Sequence, residues 1–281
     1  VSSRRGDSQV TRTAVACPLW DRRRLVCTIE NLRISVVTVC RNAAETIGEA
    51  LESFYSQSHL DKELVVIDGA SSDDTLAVVR GFEREGLTLV SEPDAGIYDA
   101  MNKGLGAFSG DAVGFLNADD RFHDPDALAA LAAALETADI GYGDLDYIDG
   151  PGRGRVVRRW RSTPWRRGGF RQGWMPAHPT FYCRRSVVEA VGPFDLRYPL
   201  AADYDFMLRA LELSDFDAAQ VGRVLVDMGA RGRTSASLGA RLQHNFEALS
   251  SRRRWLGAGF VDYALFAKPL AKASQFVVAG A

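Results

Sequence analysis

A parallel, doubly wound α/β sheet is the fold class that the sequence predicts, and three observations carry it. Short β-branched runs alternate with segments whose apolar residues recur at helical spacing, the connections between them are short, and carboxylate-rich clusters follow two of the runs directly. Short strand–helix alternation favours parallel neighbours. In such sheets ligands gather at the carboxyl ends of the strands, where those clusters fall.

The pattern begins at Ile34, and residues 35–39 read as a buried strand. A helix follows, with Ile47, Ala50, Leu51, Phe54 and Tyr55 on one face. Residues 64–67 form the second strand, and the polar turn from Asp68 to Asp74 leads into a helix carrying Leu76, Val79 and Phe82. A third strand is expected at 87–90, a third helix at 98–108 and a fourth strand at 112–116. Pro125 opens an alanine-rich helix to about residue 135, near the favoured first-turn position. After Gly141 the alternation weakens, and 151–175 reads as an irregular stretch with eight arginines and three tryptophans. A helix at 202–213, a strand at 221–228 and a helix from Leu238 with Leu242, Phe246 and Leu249 on one face complete the pattern. The glycines at 104, 106 and 110 do not make a dinucleotide fingerprint, because they end a helix and are wrongly spaced.

A chain of 281 residues holds one large domain, or one with an appendage. Its formal net charge of −2 excludes a general nucleic-acid binder. The four cysteines are scattered, without zinc-site spacing, and a disulfide framework is not expected at this size, so a reduced cytoplasmic setting fits. Cys40 and Cys183, in apolar segments, read as buried packing. No stretch reaches the roughly 18 apolar residues that span a bilayer. Residues 1–32 carry arginines without a secretory pattern and read as a partly disordered lead-in.

Three clusters carry chemistry. Asn117, Asp119 and Asp120 follow an apolar strand, where adjacent carboxylates repel unless a cation or hydrogen bonds compensate. Mg²⁺ or Mn²⁺ would suit them, bridging to substrate phosphates, and a plain helix cap is the alternative. Asp68 ends the second strand and suits a nucleobase N–H or a ribose hydroxyl, or a simple turn. Around Asp94 a carboxylate-rich turn precedes a helix bearing Asn102 and Lys103, and the lysine is placed to meet a phosphate or water.

The strings VVTVCRN, VIDGASSDDT, SEPDAGIYDAMNKG and FLNADD, in this order, resemble the family 2 glycosyltransferases, in particular the bacterial branch that builds polysaccharides and glycolipids. The resemblance covers residues 33 to about 215. It implies the GT-A fold, with a nucleotide-binding half at 33–120 and an acceptor-binding half at 121–230, followed here by a C-terminal helical extension at 231–281. It also implies an inverting, metal-dependent hexosyltransferase moving sugar from a nucleotide-diphosphate donor, UDP favoured, to a hydroxyl of a saccharide or lipid-linked saccharide. Thr38 and Asp68 resemble the positions that hold base and ribose, and Asp94 a further nucleotide contact. Asn117 stands at the first place of the family's Asp-x-Asp metal motif, leaving Asp119, alone or with Asp120, to carry the ion. Asp203 matches the catalytic base at a helix start, with Ala202 where the family has glutamate and Asp205 in reserve. His178 matches a histidine expected at the diphosphate or acceptor.

The Arg/Trp stretch is expected at the acceptor or a membrane, or else as a solvated loop. The basic run Arg252 to Arg254, with Phe260, Tyr263, Leu265 and Phe266 beyond it, suits peripheral attachment to an anionic membrane, on the inner face of the plasma membrane. Two other readings compete. A sugar nucleotidyltransferase would need a glycine-rich loop that residues 36–42 lack, and a non-catalytic polysaccharide- or nucleic-acid-binding protein has no use for a base at Asp203.

Overall fold

The computed structural model describes residues 32–82, 86–150, 154–229 and 238–257. The lead-in expected at 1–32, save Leu32, lies outside the described residues, as do Cys17, Cys27 and the apolar residues from Phe260 onward.

β1 (Ile34–Cys40) is buried at every position, as befits a strand covered on both faces. Its alternate side chains feed two cores: Val37 and Val39 enter one, Ile34, Val36 and Cys40 the other. α1 (Ile47–Tyr55) buries Ile47, Ala50, Leu51 and Phe54 as their spacing predicts, each large side chain contributing about 1.5–3 kcal/mol. β2 (Lys62–Asp68), α2 (Thr75–Arg80), β3 (Leu87–Ser91), α3 (Ile97–Ala107) and β4 (Ala112–Phe115) continue the alternation. β1 pairs in parallel with β2 and β4, and β2 with β3, in the order β3-β2-β1-β4. The register sets Cys40 beside Asp68 and Asp68 beside Ser91, so these strands end level with one another.

The second half extends the same sheet with mixed directions. β5 (Asp120–Phe122), α4 (Ala127–Thr137), β6 (Ile140–Asp149), β7 (Arg155–Trp160), β8 (Tyr182–Arg184), α5 (Arg185–Val191), α6 (Ala202–Glu212) and β9 (Ala218–Gly229) follow. β8 is antiparallel to β4 and β6, β9 is parallel to β6 and antiparallel to β5, and β7 is antiparallel to β6. The parallel arrangement expected of the sheet thus holds from β1 to β4, and antiparallel neighbours take over beyond.

The stretch read as irregular contains β7, whose arginines are matched by aspartates on β6. Arg159 stands opposite Asp146, and Arg161 Nη1 donates to Asp146 at 3.0 Å. Such cross-strand charge pairs let a polar sequence hold a ladder. The tryptophans are structural too. Trp174 packs within 5.7–5.8 Å of Tyr142 and Phe170, lies 5.1 Å from Trp165, and donates through its indole to Thr163. Arg167 meets Asp215 and Arg171 donates to the Leu256 carbonyl, while Arg155, Arg159, Arg161, Arg166, Arg167 and Arg171 stay exposed.

α7 (Leu238–Leu256) docks through Ala248, Leu249, Ser251 and Arg252 while Leu242 and Phe246 are exposed, Phe246 at 68%. The expected face of Leu242, Phe246 and Leu249 is therefore buried only at its last member. The basic run is not a surface patch: Arg252 is buried against the Tyr204 hydroxyl and Arg254 pairs with Asp195. Cys40 and Cys183 are free thiols in the core, as expected. Among the described residues no helix is long and apolar enough to cross a membrane.

Candidate active site

Two backbone kinks mark where β1 and β2 end. Asn42 and Ala70 hold φ of 51° and 55°, a conformation costly for residues with a side chain and typical of functional loops. The loops brace each other: Asn42 N donates to Ser71 Oγ at 2.8 Å, and Ser72 N to Asn42 Oδ1 at 2.9 Å. Beneath them Asp68 is 0% exposed. Its carboxylate accepts from Ser71 through hydroxyl and N–H, from the Ser91 hydroxyl and from the Cys40 thiol. Burial alone would raise its pKa, but these donors outweigh that and lower it. The same carboxylate and burial push the Cys40 thiol up to about 12. Thr38 is also fully buried, with an Oγ1 that has no hydrogen-bond partner. Both residues are buried near the carboxyl ends of β1 and β2, and Arg41 and Asp94 lie against the Gly69 turn. The Asp94 carboxylate lies so close to Gly69 that a Cβ there would overlap it.

Asp94 Oδ1 accepts from Gly96 N at 2.8 Å. Gly96 has φ of 129°, a region that favours glycine, and α3 begins at the next residue. Lys103, expected at a phosphate, instead holds this turn: its Nζ donates to the Pro93 carbonyl at 2.6 Å and pairs with Glu92 at 2.9 Å.

The Asn117–Asp120 turn separates its two carboxylates. Asp120 is 2% exposed and accepts from Asn117 Nδ2 at 3.0 Å and Gly229 N at 3.2 Å. Burial first, then the charge of Asp119, pushes its pKa well up, which favours the neutral acid. Asp120 is thus held beneath the turn by two donors, away from the surface that Asp119 reaches. Asp119 reaches the surface, its carboxyl raised by local desolvation. Asn117 Oδ1 is buried without a donor. No group of three or more His, Cys, Asp or Glu able to hold a metal occurs among the described residues. One carboxylate and one orphaned amide oxygen fit a hard cation that takes its other oxygens from water and a diphosphate.

Asp203 sits in the first turn of α6. Its Oδ1 accepts from the Tyr98 hydroxyl at 2.9 Å and from Tyr204 N at 2.8 Å. His178 is buried in an aromatic nest, 5.5 Å from Phe115 and 6.0 Å from Phe194. Burial lowers its pKa, and the Asp203 charge opposes that only in part, so the ring is held neutral. Asp205, the reserve base, is a structural residue. It is fully buried and accepts from Arg209 Nε at 2.7 Å, Ser251 Oγ at 2.8 Å and Trp255 Nε1 at 2.9 Å, tying α7 to α6.

Sequence reasoning missed two tyrosines. Tyr98 lies within the string that carried the resemblance, two residues after Gly96, but nothing local announces its partner. Tyr147 shares a sheet face with Asp120, both standing opposite Met228 of β9. Its phenol is pushed up by burial, eased by Arg158, and raised again by Asp120 and Asp203. The charges of Asp120 and Asp203 thus both act on the Tyr147 phenol.

Comparison with known proteins agrees with this geometry. Residues 35–190 match the glycosyl transferase family 2 model. A PGL/p-HBAD biosynthesis glycosyltransferase of Mycobacterium tuberculosis is 33% identical over 189 residues, spanning 62% of this chain and 68% of that protein. Among solved structures, S. aureus TarS 1–349 in complex with UDP-GlcNAc aligns with a TM-score of 0.58 at 17% identity, covering 79% of this chain and 73% of that one. The mannosyltransferase PcManGT from Pyrobaculum calidifontis, in complex with GDP-Man and Mn²⁺, aligns at 0.59 and 21% identity over 86% and 69%. With braced loops at the ends of its parallel strands, the chain belongs to the family 2 glycosyltransferases and has their GT-A fold.

Proposed function

We propose that the protein transfers a hexose with inversion from a UDP-sugar to a hydroxyl of a saccharide or lipid-linked saccharide. Residues 33–120 bind the donor and 121–230 the acceptor. The observation that carries this reading is Asp203, a carboxylate in the first turn of α6 that accepts from the Tyr98 hydroxyl, at the start of the helix that follows the Asp94 turn. The UDP-GlcNAc complex of one structural neighbour and the biosynthetic name of the M. tuberculosis relative support the donor and acceptor classes.

In this reading the loop of Arg41, Ser71 and Asp94 receives the nucleoside, with Thr38 and Asp68 buried near the strand ends. Asp119 and Asn117 Oδ1 would hold Mg²⁺ or Mn²⁺, which when bound offsets charge on the leaving diphosphate. Asp203 takes the acceptor proton as the acceptor oxygen attacks the anomeric carbon. Neutral His178 adds no charge beside that carboxylate and lines the acceptor side. Holding the two substrates in line supplies much of the remaining acceleration.

The reading includes a cytoplasmic setting. Peripheral contact with an anionic membrane, through the C-terminal apolar residues that lie outside the described residues and the exposed Leu242 and Phe246, is tested by vesicle sedimentation at low and high salt. The central test is calorimetric titration of UDP, GDP and dTDP with Mn²⁺ or EDTA, followed by proton NMR of the transferred sugar. Metal-dependent UDP binding and an inverted anomeric signal are expected. Retention of configuration, or no nucleotide binding at all, would overturn the reading.

A further inference from the structure

We propose that Tyr98 is the positioning residue of this reaction, a fixed phenol that orients Asp203 and links the donor loop to it. The inference rests on Asp203 being the base. Two donors, the Tyr98 hydroxyl at 2.9 Å and Tyr204 N at 2.8 Å, converge on Oδ1 of Asp203. Oδ2 has no hydrogen-bond partner among the described residues. A carboxylate held by one oxygen presents the other in a fixed direction, as a third group orients the base in catalytic triads.

The frame around Tyr98 is rigid. Its ring lies 5.7 Å from that of Phe194, which packs in turn on Phe115, His178 and Phe206. Asn102, one turn further along α3, clamps the Phe194 backbone both ways: Nδ2 donates to the carbonyl at 3.0 Å, and the Phe194 N–H donates to Oδ1 at 2.8 Å. Tyr98 therefore belongs to a helix fastened to the segment that leads into α6.

The N-terminal end of that helix, where Tyr98 sits, belongs to the donor loop. Gly96 N donates to Asp94, Ala95 N donates to Asp99 Oδ2 at 3.0 Å, and Lys103 holds Glu92 and Pro93. Any adjustment of Asp94 around a nucleotide reaches Tyr98 through less than one helical turn. Burial and the adjoining Asp203 charge push the phenol well above its usual range, so it remains a neutral donor. During transfer the acceptor proton goes to Oδ2, the acceptor oxygen bonds the anomeric carbon, and the diphosphate leaves with the electron pair. Tyr98 keeps its own proton throughout.

The test is Tyr98→Phe, which keeps the ring and removes only the hydroxyl. Hydrolysis of UDP-, GDP- and dTDP-hexoses with Mn²⁺ is surveyed in the wild type, and the fastest donor is used for all variants. The expected result is a fall in kcat of about 10- to 100-fold, with donor KM, UDP affinity and thermal midpoint near wild type. In an Asp203→Asn background the second substitution adds nothing. A Tyr98→Phe enzyme of full rate beside an inactive Asp203→Asn enzyme would overturn the role of Tyr98 alone, as would loss of UDP binding equal to the loss in kcat. An active Asp203→Asn enzyme would instead remove the base on which the inference rests.

Discussion

Asp119 and Asp120 are chain neighbours with opposite placements. Asp120 points inward, where Asn117 Nδ2 and Gly229 N hold its two oxygens, while Asp119 lies at the surface. Their substitutions should therefore separate. Asp119→Ala should lose Mn²⁺-dependent UDP binding with stability within about 0.5 kcal/mol of wild type. Asp120→Ala should lose about 1–3 kcal/mol, because it strands a buried amide and a buried N–H. Calorimetric titration and urea unfolding read the two effects, and equal stability losses would contradict the division.

Asp203→Asn removes the proton acceptor and little else. Turnover should fall by about 10²–10⁴-fold, with UDP binding retained, since the proposed nucleotide contacts lie at the ends of β1 to β3. Stopped donor hydrolysis alongside unchanged titration curves is the expected pattern.

Asp205 separates a fold role from a catalytic one. Its loss leaves the buried guanidinium of Arg209 without its carboxylate, together with the Ser251 and Trp255 donors. Asp205→Ala should cost about 3–5 kcal/mol and speed amide exchange in α7. A variant of normal stability but with no turnover would make Asp205 the base after all.

Glu63 supplies a pH dependence with a definite sign. Burial would raise its pKa, but the hydroxyls of Ser109 and Ser35 and the N–H groups of Ser109 and Gly110 outweigh that and lower it. A carboxylate lowered in the native state adds stability above its unfolded value of about 4.3, and loses it as pH falls through the native value. Glu63→Gln should therefore be less stable than wild type near neutral pH by about 2 kcal/mol. The gap should close on acidification, as urea midpoints at successive pH values would record. A constant gap would assign the effect to packing alone.

The parallel half of the fold was legible in the chain because β1, β2 and β4 are covered on both faces, and such strands must be almost wholly apolar. β5 and β8 were not, since three residues are too few for periodicity to register. The β6–β7 hairpin was hidden by its own charge. Aspartates and arginines count against a strand until their partners across the ladder are known. The docking face of α7 failed for a related reason: Arg252 is buried because Tyr204 receives it, and Phe246 is exposed because nothing described faces it.

By itself the sequence determined the alternation of strand and helix, the carboxylates at the strand ends and, through four strings of residues, the family. These are local properties, set by hydrophobic period and by turns that few residue types can make. Tertiary structure alone decided how each carboxylate is buried and held. Asp119 and Asp120 are alike in the chain, and so are Asp203 and Asp205. Their surroundings part only where Gly229, Ser251 and Tyr98 arrive from distant segments, Tyr98 from 105 residues away. A carboxylate's chemistry depends on its burial and on the donors that reach it, and both come from neighbours that the chain order does not name.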